Sequence, residues 1–336
     1  MFLLKKFLKL FPTLFGICLL SFFVIRFIPG DPVMLLLGER GNDPEVYAQM
    51  KKSLGLDLPI YSQFGNYLSG VFKGDLGKSI ITGKSIISEF FSRFPATLEL
   101  SLFAMVFALI LGIPLGILAA VNRGTFWDYF LMSGSLIGYS MPIFWWGLLL
   151  ILLFSVNLGI TPVSGRIDVL YYIEPWTNFI LIDSLQREVI SQDGFGPFIS
   201  ALKHLILPTI AMGTIPMAII ARMTRSSMLE VLDEEYIKTA KAKGQTNFKI
   251  VFKHALKNAL IPIITVTGLM LGSLITGAIL TETIFSWPGI GKWIVASVNQ
   301  RDYPAIQGGV LIIGTLVVLV NRSIDILYYW VNPRLR

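Results

Sequence analysis

The chain has 336 residues, of which 54% are hydrophobic and 15% charged, with a formal net charge of +7. Soluble proteins normally carry about 25% charged residues, so an aqueous globular domain is excluded. The apolar residues suffice for several spans of about 20 residues, and the composition is that of a polytopic, all-α membrane protein.

Lone Cys18, in the first apolar run, and two histidines exclude a disulfide framework and a histidine-built metal centre, so no metal site is expected. Residues 1–28 hold a tail with Lys5, Lys6 and Lys9 and then the first span, Leu10 to Ile28. No small-residue cleavage site follows, so the run reads as an uncleaved span and not a removed leader. Arg26 is close enough to the interface to snorkel. Pro29-Gly30-Asp31-Pro32 ends the helix.

Residues 29–97 form an external cap region, with helical periodicity over Pro44 to Leu54 and Tyr61 to Phe72. A five-helix core occupies 98–330. Its first span, Leu98 to Val121, contains Pro114 and a Gly112/Gly116 pair whose spacing either permits close helix contact or is ordinary for a membrane helix. Glu99 falls near the external boundary, where its burial costs little. The next span covers Met132 to Val156, with Pro142, Trp145 and Trp146 marking a bend. Segment 158–203 is too interrupted by Pro and Gly to span, and reads as an interfacial or capping element. Another span covers His204 to Ile220, its prolines being tolerable between packed helices.

The polar stretch from Arg222 to Pro262 holds eight Lys or Arg, four Asp or Glu and one histidine between apolar segments. Such an insert lies in water, and its basic excess puts 222–258 on the cytoplasmic side. Glu235 to Lys243 contains good helix formers, Gly244 supplies a stop, and a second helical pattern runs from Asn247 to Ala259 and stops near Pro262. Beyond it comes a span from Leu260 to Leu280. Its Thr265, Thr267, Gly268, Gly272, Ser273 and Gly277 suit either tight packing or the lining of a translocation path. The last span runs from about Pro304 to Trp330, and 331–336 form a C-terminal tail.

Several strings within this pattern resemble a known family. EYIKTAKAKG with FKHALKNALIP is similar to the cytoplasmic signature loop of membrane subunits in bacterial ABC importers, and in particular to the dipeptide, oligopeptide and nickel permease branch. Phe27 to Pro32, LGLD at 54–57, GDLGKS at 74–79 and TETIFSWPGIGKW at 281–293 resemble other parts of that branch. Against the broader importer signature, Tyr236 stands where a small residue is usual and Ala240 is the small residue kept; the peptide branch shares this departure. The resemblance spans Pro29 to Pro333 and is weakest over 158–203.

What the resemblance implies is a type I ABC importer transmembrane domain with six transmembrane helices, a large external loop after the first, and both termini cytoplasmic in the bacterial inner membrane. It implies one permease of a pair, carrying a short peptide delivered by an external substrate-binding protein. Two cytoplasmic ATPase subunits would use ATP and Mg, and this chain would bind no cofactor. Glu235, Tyr236, Ile237, Ala240, Lys243 and Gly244 would form a coupling helix and its exit, with Tyr236, Ile237 and Ala240 as contact surface for the ATPase. A negative Glu235 suits the exposed amides at a helix start. His254 and Asn258, one turn apart, either bond back to the loop or are ordinary polar residues on a wet face. Glu282, Trp287, Pro288, Gly289 and Gly291 would make an external gate or capping turn.

Charge distribution agrees with this topology. The cytoplasmic pieces hold 15 Lys or Arg against 6 Asp or Glu, the external pieces 12 against 14. That pattern accounts for the net charge without a nucleic-acid partner; the cationic loop lysines meet solvent or anionic lipid. No phosphate loop is present, since GDLGKS has the wrong spacing, and neither HExxH nor GxSxG occurs. The chain itself is therefore expected to be no enzyme. Alternatives are a nickel-chelate permease of the same architecture, a secondary transporter or channel, and an intramembrane enzyme. A secondary transporter would show deep ionisable residues or an inverted repeat.

Overall fold

The computed structural model describes residues 10–27, 32–37, 43–53 and 55–331. The lysine-bearing N-terminal tail, the Pro29-Gly30-Asp31 helix stop and the tail beyond Val331 lie outside these residues, as does the Arg26 side chain. Among the described residues the fold is helical, with one isolated antiparallel bridge between Lys78 and Ser85. Among the described residues four helices are long and apolar enough to cross a membrane, or five if one sharply bent pair counts as a span. The chain divides into two compact units, Met1–Phe94 with Lys292–Val320, and Pro95–Gly291 with Asn321–Arg336.

The first unit contains α1 (Leu10–Phe27), the short α2 (Pro32–Leu37), α3 (Pro44–Ser53) and α4 (Ile60–Phe72). The last two match the helical periodicity of the cap region. Phe22 anchors α1 on α4, with its ring centroid 5.1 Å from Phe64 and 5.8 Å from Tyr67. Ser21 and Tyr67 share a hydrogen bond of 2.7 Å. Aromatic burial of this kind supplies both area and direction at a helix contact. Toward the start of α5 (Ile86–Val121), buried Glu89 accepts from Trp293 Nε1 at 2.8 Å and Thr82 Oγ1 at 2.6 Å.

The second unit takes over α5 from Pro95 onward. This helix begins at Ile86 and not at Leu98, with Pro95 and Pro114 inside it. Two helices follow, α6 (Phe126–Ser140) and α7 (Ile143–Leu150), the latter continuing as a π-helical stretch over Ile151–Asn157. They are bent by 103° at Met141-Pro142, where the sequence marks a bend, and the first of them starts at Phe126 and not at Met132. Pro142 cannot donate the bond that would carry a helix across this point.

The interrupted segment then holds only α8 (Ile180–Asp183) and α9 (Arg187–Asp193) before α10 (Gly196–Leu232) starts. At 37 residues α10 is much longer than the predicted His204–Ile220 and carries Pro208 and Pro216 internally. It packs almost backbone to backbone on α5. A Cβ at Gly116 would stand 2.5 Å from the Ala221 carbonyl, and one at Gly112 would stand 2.9 Å from that of Met217. The GxxxG pair is thus a close-contact site.

After α10 come α11 (Glu235–Ala242) and α12, which runs without interruption from Asn247 to Gly277 through a π-helical turn at Ile250–Ala255. The expected stop near Pro262 is not there: Pro262 lies inside α12. Stop signals read from soluble proteins overweight proline where neighbouring helices can absorb its missing donor. α13 (Ile279–Ile284), α14 (Ile290–Asn299) and α15 (Tyr303–Val331) complete the chain, α15 matching the predicted last span.

Candidate coupling loop and the Glu282 turn

The polar loop folds as expected into a short helix, a turn and a helix. α11 opens at Glu235, whose side chain is exposed and pairs with Lys238 at 2.7 Å, a surface contact of little energetic weight. Gly244 follows the helix with φ +73°, and a Cβ there would meet nothing within 4 Å. Glycine is needed here for backbone handedness alone. Thr246 then caps α12, its side chain accepting from the Lys249 amide.

Two predicted contact residues are placed elsewhere. Ile237 is fully buried and Ala240 is 7% exposed, both within this chain's own core alongside Ile250, Val251 and Ala255. Within this chain they seat α11 on α12. Tyr236, at 40% exposed, remains outside. Its hydroxyl accepts from Asn258 Nδ2 at 2.7 Å, and His254 Nε2 lies 2.7 Å from Gln245 Oε1. His254 and Asn258 thus do bond back to the loop, tying both sides of the Gly244 turn to α12. Lys241, Lys243, Lys249, Lys253 and Lys257 are all exposed.

The second candidate cluster is built differently. Glu282 is fully buried and accepts a short hydrogen bond from the Thr97 hydroxyl, while Thr97 Oγ1 accepts from the Ile290 amide at 2.9 Å. A Cβ on Gly289 would overlap the Glu282 carboxylate, and one on Gly291 would sit 2.7 Å from Ile279 Cα and 3.0 Å from Glu282 Oε2. Trp287 is also fully buried and donates its Nε1–H to the Ala96 carbonyl at 2.8 Å. Ser286 adopts φ +51° to close the turn after α13, a strained choice for a non-glycine residue. Glu282, Trp287, Gly289 and Gly291 are therefore a packed corner built around one carboxylate, with Pro288 inside the same turn.

Sequence reasoning missed what covers this corner. Gly165 donates its amide to the Phe285 carbonyl at 2.8 Å, and the Arg166 guanidinium lies 5.6 Å from the Trp287 ring centroid. Arg166 also grips Glu99, through Nε at 3.1 Å and Nη2 at 2.6 Å, and Glu99 accepts from the Leu181 amide as well. Glu99 is only 3% exposed, which corrects its placement at a cheap, wet boundary. A charge so buried stands only with partners of this kind. No local spacing links residues 99 and 166.

The candidate path-lining residues separate. Gly272 is buried, and a Cβ on Gly268 would stand 2.9 Å from Ile324 Cγ2, so these two pack. Ser273 and Gly277 are exposed. The hydroxyls of Thr265 and Thr267 donate to Ile261 and Ile263 carbonyls in their own helix.

Comparison with known proteins agrees with this architecture. Residues 112–336 match the family described as "Binding-protein-dependent transport system inner membrane component", and residues 1–101 match its N-terminal companion. The chain is 55% identical to the di/tripeptide transport system permease protein DppB of Pseudomonas aeruginosa (strain UCBPP-PA14), over 100% of this chain and 98% of the relative. It is 52% identical to the dipeptide transport system permease protein DppB of Escherichia coli (strain K12), with the same coverage. The glutathione transport system permease protein GsiC of Escherichia coli O6:H1 is 38% identical, again over 100% of this chain and 98% of the relative. Among solved structures, an inward-facing form of the MetNI methionine ABC transporter aligns with TM-score 0.50 and 19% identity, over 70% of this chain and 93% of that one, a likeness of fold. The chain belongs to the inner-membrane permease components of binding-protein-dependent transport systems, and within them to the DppB-like branch.

Proposed function

We propose that this chain is one permease of an ATP-driven importer of dipeptides and short oligopeptides, forming half of the translocation pathway and hydrolysing no ATP itself. The observation that carries the reading is identity of 52% or more, end to end, with permeases whose names specify di- or tripeptide transport. In this reading α1 is a sixth span beside the five longer ones, both termini are cytoplasmic, and the 222–258 loop faces the cytosol. A homologous second permease completes the bundle, an external binding protein delivers peptide, and two ATPase subunits use ATP and Mg.

The coupling role falls to the outer face of α11 and its exit: Glu235, Tyr236, Lys243 and Gly244. Ile237 and Ala240 act from within by locking α11 to α12, and His254 and Asn258 brace the turn. A handle can pass displacement to the bundle only if it is rigidly joined to it, and these contacts supply the join. Alternating access then requires that peptide and nucleotide favour different conformations. Ser273 and Gly277, exposed on α12, are the path-lining candidates retained from the six.

Reconstitution of the complex in proteoliposomes tests the cargo. ATP-dependent uptake of a labelled dipeptide, with no uptake of a nickel chelate, is the expected result; the opposite pattern rejects the peptide reading.

A further inference from the structure

We infer that Asp128 and Arg225 are positioning residues that carry displacement of the α11 loop into the broken span α6–α7, an inference that rests on the coupling role proposed above. Asp128 lies in the first turn of α6 and is 2% exposed. Both of its oxygens are held by one guanidinium on α10, with Arg225 Nε 2.6 Å from Oδ1 and Nη2 2.7 Å from Oδ2. The Gly124 amide adds a third bond to Oδ2 at 3.0 Å. A fork-on-fork pair fixes orientation as well as distance, which a point charge does not.

Two further contacts repeat the connection along α10. Arg222 lies with its guanidinium 5.0 Å from the Tyr139 ring centroid. Arg123, in the turn before α6, reaches Asp233 at 3.7 Å, just where α10 ends and α11 is about to begin. The last turns of α10 thus meet α6 and its entry turn at three levels, of which Arg123–Asp233 is an exposed pair of little energetic weight.

The rest of α6 explains why this grip matters. Asp128 and Ser135 are its buried residues, and the Ser135 hydroxyl bonds within its own helix, to Leu131. Phe126, Trp127, Tyr129 and Phe130 are between 57% and 73% exposed. Gly138 brings α6 close to α10, a Cβ there standing 3.0 Å from Thr214 Cγ2, and the Asp128–Arg225 pair adds a directional polar contact to that packing, with Asp128 buried and Arg225 30% exposed. A buried ion pair commonly stabilises no better than an apolar pair of the same volume, whereas its geometric selectivity has a use here. Beyond Ser140 the 103° break separates α6 from α7, and Trp146 Nε1 of α7 donates to Thr214 Oγ1 on α10 at 3.1 Å, so both halves of the broken span are joined to α10.

The test uses the complete transport complex in proteoliposomes, with dipeptide uptake and ATP hydrolysis measured together. Asp128→Asn is expected to assemble and hydrolyse ATP, with dipeptide transported per ATP falling about tenfold. Arg225→Lys keeps the charge but loses the fork, and is expected to lower the same ratio about threefold with assembly intact. The exchange Asp128→Arg with Arg225→Asp should recover most of the ratio lost in either single variant. Parental ratios in Asp128→Asn and Arg225→Lys overturn the inference; if Asp128→Asn fails to assemble, Arg225→Lys alone decides it. Gly244→Trp separates the underlying reading. If it leaves peptide-stimulated ATP hydrolysis and uptake unchanged, the coupling loop itself is rejected. If it abolishes them while both pair variants keep the parental ratio, only the role of Asp128 and Arg225 falls.

Discussion

The Gly244 turn and the Glu282 turn both reverse the chain between two helices, and both depend on glycine, yet for opposite reasons. Around Gly244 there is open space, and what glycine provides is a left-handed backbone at φ +73°. Around Gly289 and Gly291 there is no space at all, and glycine lets a buried carboxylate and the α13 backbone approach the chain. The first turn is exposed and braced by two side-chain bonds from α12. The second is sealed by Glu282, Thr97 and Trp287, with Arg166 on the Trp287 ring. A wet, lightly braced turn suits the coupling role proposed for it, and a dry, over-determined one suits a fixed corner.

Substitutions can break this contrast, beginning with the dry turn. Gly291→Ala puts a methyl 2.7 Å from the Ile279 backbone, and overpacking of this kind costs about 3 kcal/mol. The unfolding temperature of the purified protein in detergent should fall clearly; an unchanged value means the corner is looser than described. Next, Glu282→Gln and Thr97→Val should each destabilise by about 2 kcal/mol. Their double variant should cost less than the sum, since both weaken the Thr97–Glu282 hydrogen bond while Thr97→Val also strands the Ile290 amide, and strict additivity in the cycle refutes that coupling.

At the wet turn the effects are smaller and depend on shape differently. Gly244→Ala is expected to cost about 1 kcal/mol, and Gly244→Asn less, because asparagine tolerates the left-handed region. Equal losses for the two in a thermal scan would mean that contact, and not φ, sets the requirement. Smallest of all, Asn258→Ala removes an exposed bond to Tyr236 and should shift stability by about 0.5 kcal/mol, with its larger signature in faster amide exchange around Gly244.

Much of the cytoplasmic candidate was legible because its signals are local. A glycine after a run of helix formers and a polar insert between apolar runs act within a few residues of themselves. Pro262 misled because stop rules assume water at the helix end, and α12 continues among neighbouring helices. The burial of Ile237 and Ala240 was not legible since a helix of eight residues does not show what covers it. Glu99 was assigned to a wet boundary since its partner lies 67 positions away.

By itself the chain's order of residues determined the helical membrane class, most of its apolar helices, the loop with its Gly244 exit, and the family. These follow from hydropathy, from backbone preferences, and from motifs whose parts lie close together. The tertiary structure alone decided which carboxylates are buried and with whom, that α6 and α7 part at 103°, and that Gly289 and Gly291 are demanded by volume. Those outcomes depend on contacts between distant segments, where free energy is set by what each group meets after folding and not by its neighbours in sequence.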